Sequence, residues 1–122
     1  MPVSYRFDSK IVVIEMVGEY SMDDIRQTIL NSLADPGRPI DSYLMINLTE
    51  SQSIYERTSV EVKTMAKFVA TLGGQFNNRI ALVASKDFPF GMLRMSSVGS
   101  EERGIETEVF RTLSEAREWL LS

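Results

Sequence analysis

The sequence contains neither cysteine nor histidine. Without cysteine there is no disulfide, no thiolate metal site and no thiol nucleophile. Without histidine the commonest general base, the usual partner of a nucleophilic serine and the commonest zinc ligand are all missing. Any catalysis would rest on carboxylates, lysine, tyrosine or backbone groups, and no known catalytic motif arranges them. Asp23–Asp24 and Glu101–Glu102 are adjacent pairs, which project in different directions and read as solvated or capping residues rather than metal ligands. Gly73–Gly74 follows a helical pattern rather than a strand, and no Gly-Lys-Ser/Thr accompanies it, so it is not a phosphate loop. No metal and no cofactor is expected, and the chain reads as a non-enzyme.

Two further shortages narrow the partners. Positive charge is in deficit, with a formal net charge of −4 and no cluster of Lys and Arg, so nucleic acid is not an expected partner. Long apolar runs are also missing: no stretch reaches the roughly 18 residues of a membrane-spanning helix. The opening Met1-Pro2-Val3-Ser4-Tyr5-Arg6-Phe7-Asp8 lacks the basic segment and apolar run of a signal peptide, which makes a cytoplasmic location the expectation. What is present is an ordinary globular composition, 43% apolar and 25% charged over 122 residues, suited to a single domain spanning 1–122 around one sizeable core.

Apolar periodicity switches between two and about 3.6 in a regular order. Ser4 to Asp8 alternates, with Tyr5 and Phe7 on one face. Ser9-Lys10 is a tight turn, and Ile11 to Tyr20 is a more apolar strand that completes an antiparallel hairpin. Ser21, with Asp24 three positions on, opens a helix whose stripe is Ile25, Ile29 and Leu33, with Leu30 beside it, and Asp35-Pro36-Gly37-Arg38-Pro39 stops it. Tyr43 to Leu48 is a buried strand, and Thr49 to Arg57 a polar loop. Thr58 and Glu61 repeat the capping pattern before a helix with Met65, Phe68, Val69 and Leu72 inside and Gly73 as its C-terminal cap. Arg79 to Ala84 is apolar on both faces, as in the middle of a parallel sheet. Asp87 to about Ser97 reads as a third helix with Pro89 in its first turn and Met92, Leu93 and Met95 as apolar surface. Ile105 to Phe110 alternates with Glu106 and Glu108 on one face, an edge strand. Thr112 and Glu115 cap a last helix packed by Leu113, Ala116, Trp119 and Leu120.

The order is β-β-α-β-α-β-α-β-α, and strands alternating with helices imply parallel pairing through right-handed crossovers. The polar faces of the first and last strands place them at the edges. The expected architecture is therefore a singly wound five-stranded mixed sheet, order 1-2-3-4-5, with strand 1 antiparallel and four helices.

The N-terminal hairpin, the three following β-α units, the segment Phe90-Gly91-Met92-Leu93-Arg94-Met95 and the ending from Ile105 to Leu120 together resemble the bacterial SpoIIAA-like proteins, a STAS/SEC14-like group, over nearly the whole chain. The resemblance implies the same α/β sheet and supplies no biochemical activity. STAS relatives are protein-interaction switches, and SEC14-type relatives hold apolar ligands. The phosphorylated serine of the STAS switches follows an Asp-Ser-Ser-Gly-like stretch. Here the equivalent place reads Thr58-Ser59-Val60-Glu61, without that Asp or Gly, so the phosphosite is not carried over.

Ligands of parallel sheets bind beyond the carboxyl ends of the strands. That rule points to the loop 49–57, with Ser51, Ser53 and Tyr55, to the loop 85–90, with Phe88 and Phe90 of the aromatic, Met-rich segment, and to the region after Phe110; Thr58 and Ser59 join the candidates as the place equivalent to the STAS serine. Arg94, flanked by apolar residues, is placed either to clamp an anionic head group or carboxylate, to pair with a Glu at the core edge, or to reach solvent. Two functions follow. The first is a non-enzymatic regulatory module that binds a protein partner. The alternative is a carrier or sensor of a small apolar or amphipathic ligand, which requires a pocket of roughly 300 Å³ or more between that segment and the Ser51–Tyr55 loop. An open edge at strand 1 or strand 5 would permit a homodimer, with Glu106 and Glu108 disfavouring an apolar contact at strand 5.

Overall fold

The computed structural model describes residues 2–96 and 104–122. Strands β1 (Val3–Asp8), β2 (Ile11–Gly18), β3 (Tyr43–Ser51), β4 (Arg79–Val83) and β5 (Glu106–Phe110) form one sheet in the order β1-β2-β3-β4-β5. β1 is antiparallel to β2 and every other pairing is parallel. Helices α1 (Met22–Ala34), α2 (Ser59–Thr71), α3 (Asp87–Ser96) and α4 (Leu113–Leu121) alternate with the strands as expected. Asp8 pairs with Ile11, so Ser9 and Lys10 alone make the hairpin turn, with Ser9 at φ 55°.

The period-two alternation of the strands sorts the core into two layers. Val12, Ile14, Leu44, Ile46 and Ile80 face one side, where they meet the apolar stripes of α1, α2 and α3. Ile11, Val13, Met45, Ala81 and Val83 face the other, where they meet Ala116 and Leu120 of α4. Among the described residues, three helices therefore cover one face and a single helix the other.

Several boundaries and faces differ from expectation, each for a physical reason. β2 ends at Gly18, whose φ of +68° turns the chain out of the sheet before Tyr20. β3 does not stop at Leu48. Past an irregularity between Glu15 and Val17, Glu50 still pairs with Val17 and Ser51 with Gly18, so the polar run 49–51 is strand rather than loop. Residues Ser53–Tyr55 then form a short 3-10 turn. In α1, Leu30 is exposed whereas Thr28 and Ser32 are buried. Their hydroxyls donate to the carbonyls of Asp24 and Ile29, so the helix itself satisfies them inside the core. Gly73 is not a left-handed cap. It opens a second 3-10 turn (Gly73–Phe76), and the positive φ falls instead on Asn77 and Asn78. The need for glycine there is proximity, since an added Cβ would stand 2.7 Å from Ile105 Cδ1. The expected end of α3 at Ser97, like the Glu101–Glu102 pair, lies outside the described residues.

Candidate functional site

α1 lies directly on β1 and β2, and α4 on β4 and its neighbours, but the backbone of α2 neighbours α3 and the 73–76 turn more than any one strand. Val62, Met65 and Val69 still reach the core from α2. Beside them runs a second stripe, Lys63, Ala66, Lys67 and Ala70, at helical i, i+3, i+4, i+7 spacing. The short alanines on this stripe do not bridge the gap. A cavity of about 320 Å³ remains, floored by Ile46, Leu48, Ile80 and Leu82 of the sheet and walled by Leu93 and Met95 of α3.

Tyr20, Ile54 and Arg57 also line the cavity, and a buried polar hub joins them near the carboxyl ends of β2 and β3. The Tyr20 backbone N–H donates to Ser53 Oγ at 2.9 Å, and Ser53 Oγ donates back to the Tyr20 carbonyl at 3.2 Å. The Tyr20 and Ser51 hydroxyls are 2.6 Å apart, and the Ile54 backbone N–H donates to Ser51 Oγ at 3.3 Å. Burial pushes the Tyr20 phenol above its ordinary value, while the Ser51 hydrogen bond and the Arg57 charge pull it back. Arg57 lays its guanidinium 5.7 Å from the centre of the Tyr20 ring and donates through Nη2 to the Tyr20 carbonyl. Its Nη1 stands 3.9 Å from Glu61 Oε2. Its Nε–H is buried and, among the described residues, has no hydrogen-bond partner.

None of the eight residues singled out from the sequence lines this cavity. Ser51 and Ser53 are buried and committed to Tyr20. Thr58 caps α2, its hydroxyl accepting from the Glu61 N–H while the Glu61 carboxylate accepts from the Thr58 N–H, and Ser59 is the exposed first residue of that helix. Tyr55 and Phe88, each about half exposed, do come together, stacked with centroids 5.8 Å apart. Phe90 is partly buried, with Arg111 4.0 Å and Arg94 5.8 Å from its ring centre. Arg94 is exposed and not part of the cavity wall. The cavity is built from their neighbours Ile54, Leu93 and Met95, together with Arg57 and the α2 stripe. The repeated Lys/Ala pairs at i, i+4 were the one signal of that stripe in the sequence.

Among the described residues, no group of three or more Asp or Glu is placed to hold a metal ion, and no helix is long and apolar enough to cross a membrane.

No protein-family model and no curated protein matches the sequence. Among solved structures, the chain is similar to an uncharacterised protein of the DUF3478 family with a SpoIIAA-like fold from Shewanella loihica PV-4. The two align with a TM-score of 0.59 at 17% identity, over 97% of this chain and 91% of that one. At that identity the likeness speaks for architecture alone, and with the observed strand order it establishes that this chain has a SpoIIAA-like fold.

Proposed function

We propose that this chain is a non-enzymatic carrier or sensor of a small, largely apolar ligand held between α2 and the sheet. The observation that carries the reading is the cavity of about 320 Å³ between α2, α3 and the sheet. Its size is at the lower end of ligand pockets, which run from about 300 to about 1,000 Å³. The cavity is a partly open cleft with a mostly apolar lining and a few polar groups, the form that small-molecule sites take. The sequence ranked a protein-interaction module first, and the cavity supports the reverse order. The interaction reading keeps one observation in its favour, the exposed stacked pair Tyr55 and Phe88 beside Phe90 and Arg111.

A single substitution separates the two. Ala66→Phe grows a side chain from α2 into the cavity and leaves the Tyr55–Phe88 surface untouched. The wild-type protein is expected to bind the neutral apolar dye N-phenyl-1-naphthylamine saturably at one site. Ala66→Phe is expected to abolish that binding with its melting temperature unchanged or raised. Equal dye binding by a folded Ala66→Phe variant, or none by the wild type, would overturn the carrier reading and return the aromatic surface to first place.

A further inference from the structure

We propose that the cavity takes an amphiphile with a carboxylate head, and that Arg57, with Lys63 and Lys67 beside it, holds the head. This rests on the carrier reading above and adds the chemical class of the ligand.

The first argument is an imbalance of charge. The chain as a whole is acidic, with 17 Asp and Glu against 13 Lys and Arg. The cavity wall is the reverse: Arg57, Lys63 and Lys67 contribute to it, and among the described residues no Asp or Glu does. Three cations beside an apolar floor match a ligand with an oily body and a negative end.

The second argument is the loose pairing of the Arg57 charge. A guanidinium is always charged and presents five N–H donors in a rigid fork. Arg57 is mostly buried, with a side chain 19% exposed. Its Nη2 donates to the Tyr20 carbonyl, which fixes the fork against the segment between β2 and α1. Its contact with Glu61 is long, 3.9 Å, and Glu61 is already engaged by the Thr58 N–H at 3.0 Å. The carboxyl of Glu61 is held below its ordinary value chiefly by that backbone hydrogen bond, with the Arg57 charge the smallest influence on it. The two charges are thus weakly coupled, and the Arg57 charge at the cavity wall is only loosely paired. A carboxylate supplies at close range the charge that Glu61 offers only at a distance. A neutral amphiphile does not.

The test compares octanoate with octanol, which share the tail and differ in the head, by displacement of the dye from the wild type and from Arg57→Gln. The wild type is expected to bind octanoate about tenfold or more tighter than octanol, the size of one charge-assisted hydrogen bond. Arg57→Gln is expected to bring octanoate down to the level of octanol and to leave octanol unchanged. Equal affinity of the two probes for the wild type overturns the head-group assignment while the carrier reading stands, whereas displacement by neither overturns the carrier reading itself. Arg57 also tethers Tyr20, so a second readout uses the unaltered protein. The carboxyl of bound octanoate, carbon-13 labelled and followed by NMR, is expected to titrate at a lower pH than the free acid. A bound carboxyl that titrates at or above the pH of the free acid overturns the contact with Arg57.

Discussion

At the scale of single residues, two positions constrain the molecule in ways a composition count does not show. The hydrogen of Gly73 occupies the only room available, because an added methyl group would stand 2.7 Å and 2.8 Å from the Cδ1 and Cγ1 atoms of the buried Ile105. Gly73→Ala is expected to destabilise the protein by about 1–3 kcal/mol, the usual cost of overpacking, measurable by urea denaturation. Gly74, one residue on, has open space around it, and Gly74→Ala serves as the control. The second position is Asp35. Its carboxylate accepts from the Tyr5 hydroxyl at 2.6 Å and from the Gly37 N–H at 2.8 Å, and those bonds, the Tyr5 one foremost, hold it below its ordinary value of 3.8. A carboxyl whose folded value is depressed contributes stability that is fully present above the unfolded value and is lost as the pH falls through the folded one. Stability is therefore expected to decline as the pH drops below about 4, and Asp35→Asn to flatten that acid limb in denaturation curves taken on either side of it.

At the scale of elements, the helix starts are the most reliable features because their signals are local. Ser21 with Asp24, and Thr58 with Glu61, each close a reciprocal pair of backbone-to-side-chain hydrogen bonds, and Thr112 accepts from the Glu115 N–H. Each satisfies first-turn N–H groups that have no intrahelical partner. Thr58→Ala is expected to cost about 1 kcal/mol, read as a lower urea midpoint. Thr58→Ser, which keeps the hydroxyl, is expected to restore most of it. These caps were legible in the sequence because two residues three positions apart suffice to make one. The continuation of β3 through Thr49, Glu50 and Ser51 was not, because its cause is non-local. Glu50 and Ser51 are strand because Val17 and Gly18 lie alongside to pair with them, and Ser51 is buried because Tyr20 reaches over to it. A run of hydroxyls and one carboxylate reads as loop until its neighbours are known.

At the scale of the whole molecule, strand order and direction were readable because each element announces its own type and the rules of crossover connections leave few arrangements. The cavity was not readable, because it belongs to no element. Ala66 and Ala70 are equally good at a tight helix–sheet contact and beside a gap, and only the stand-off of α2 decides between them. The same holds for Arg57, a polar residue next to a helix cap until the sheet, Tyr20 and α2 close around it. The unequal dressing of the sheet has a consequence for the order in which the chain can mature. Ile11, Val13, Met45, Ala81 and Val83 are covered by α4, which is synthesised after all five strands. Translation delivers strands over a period of seconds. Throughout that time the three-helix face can assemble while the opposite face stays wet. Arg117 of α4 also pairs with Asp8 of β1, 109 positions earlier, so the first hairpin gains that contact only when α4 arrives. Until then a nascent chain offers a patch of naked β-sheet, and completion of α4 is the event that ends its exposure to chaperones and to aggregation.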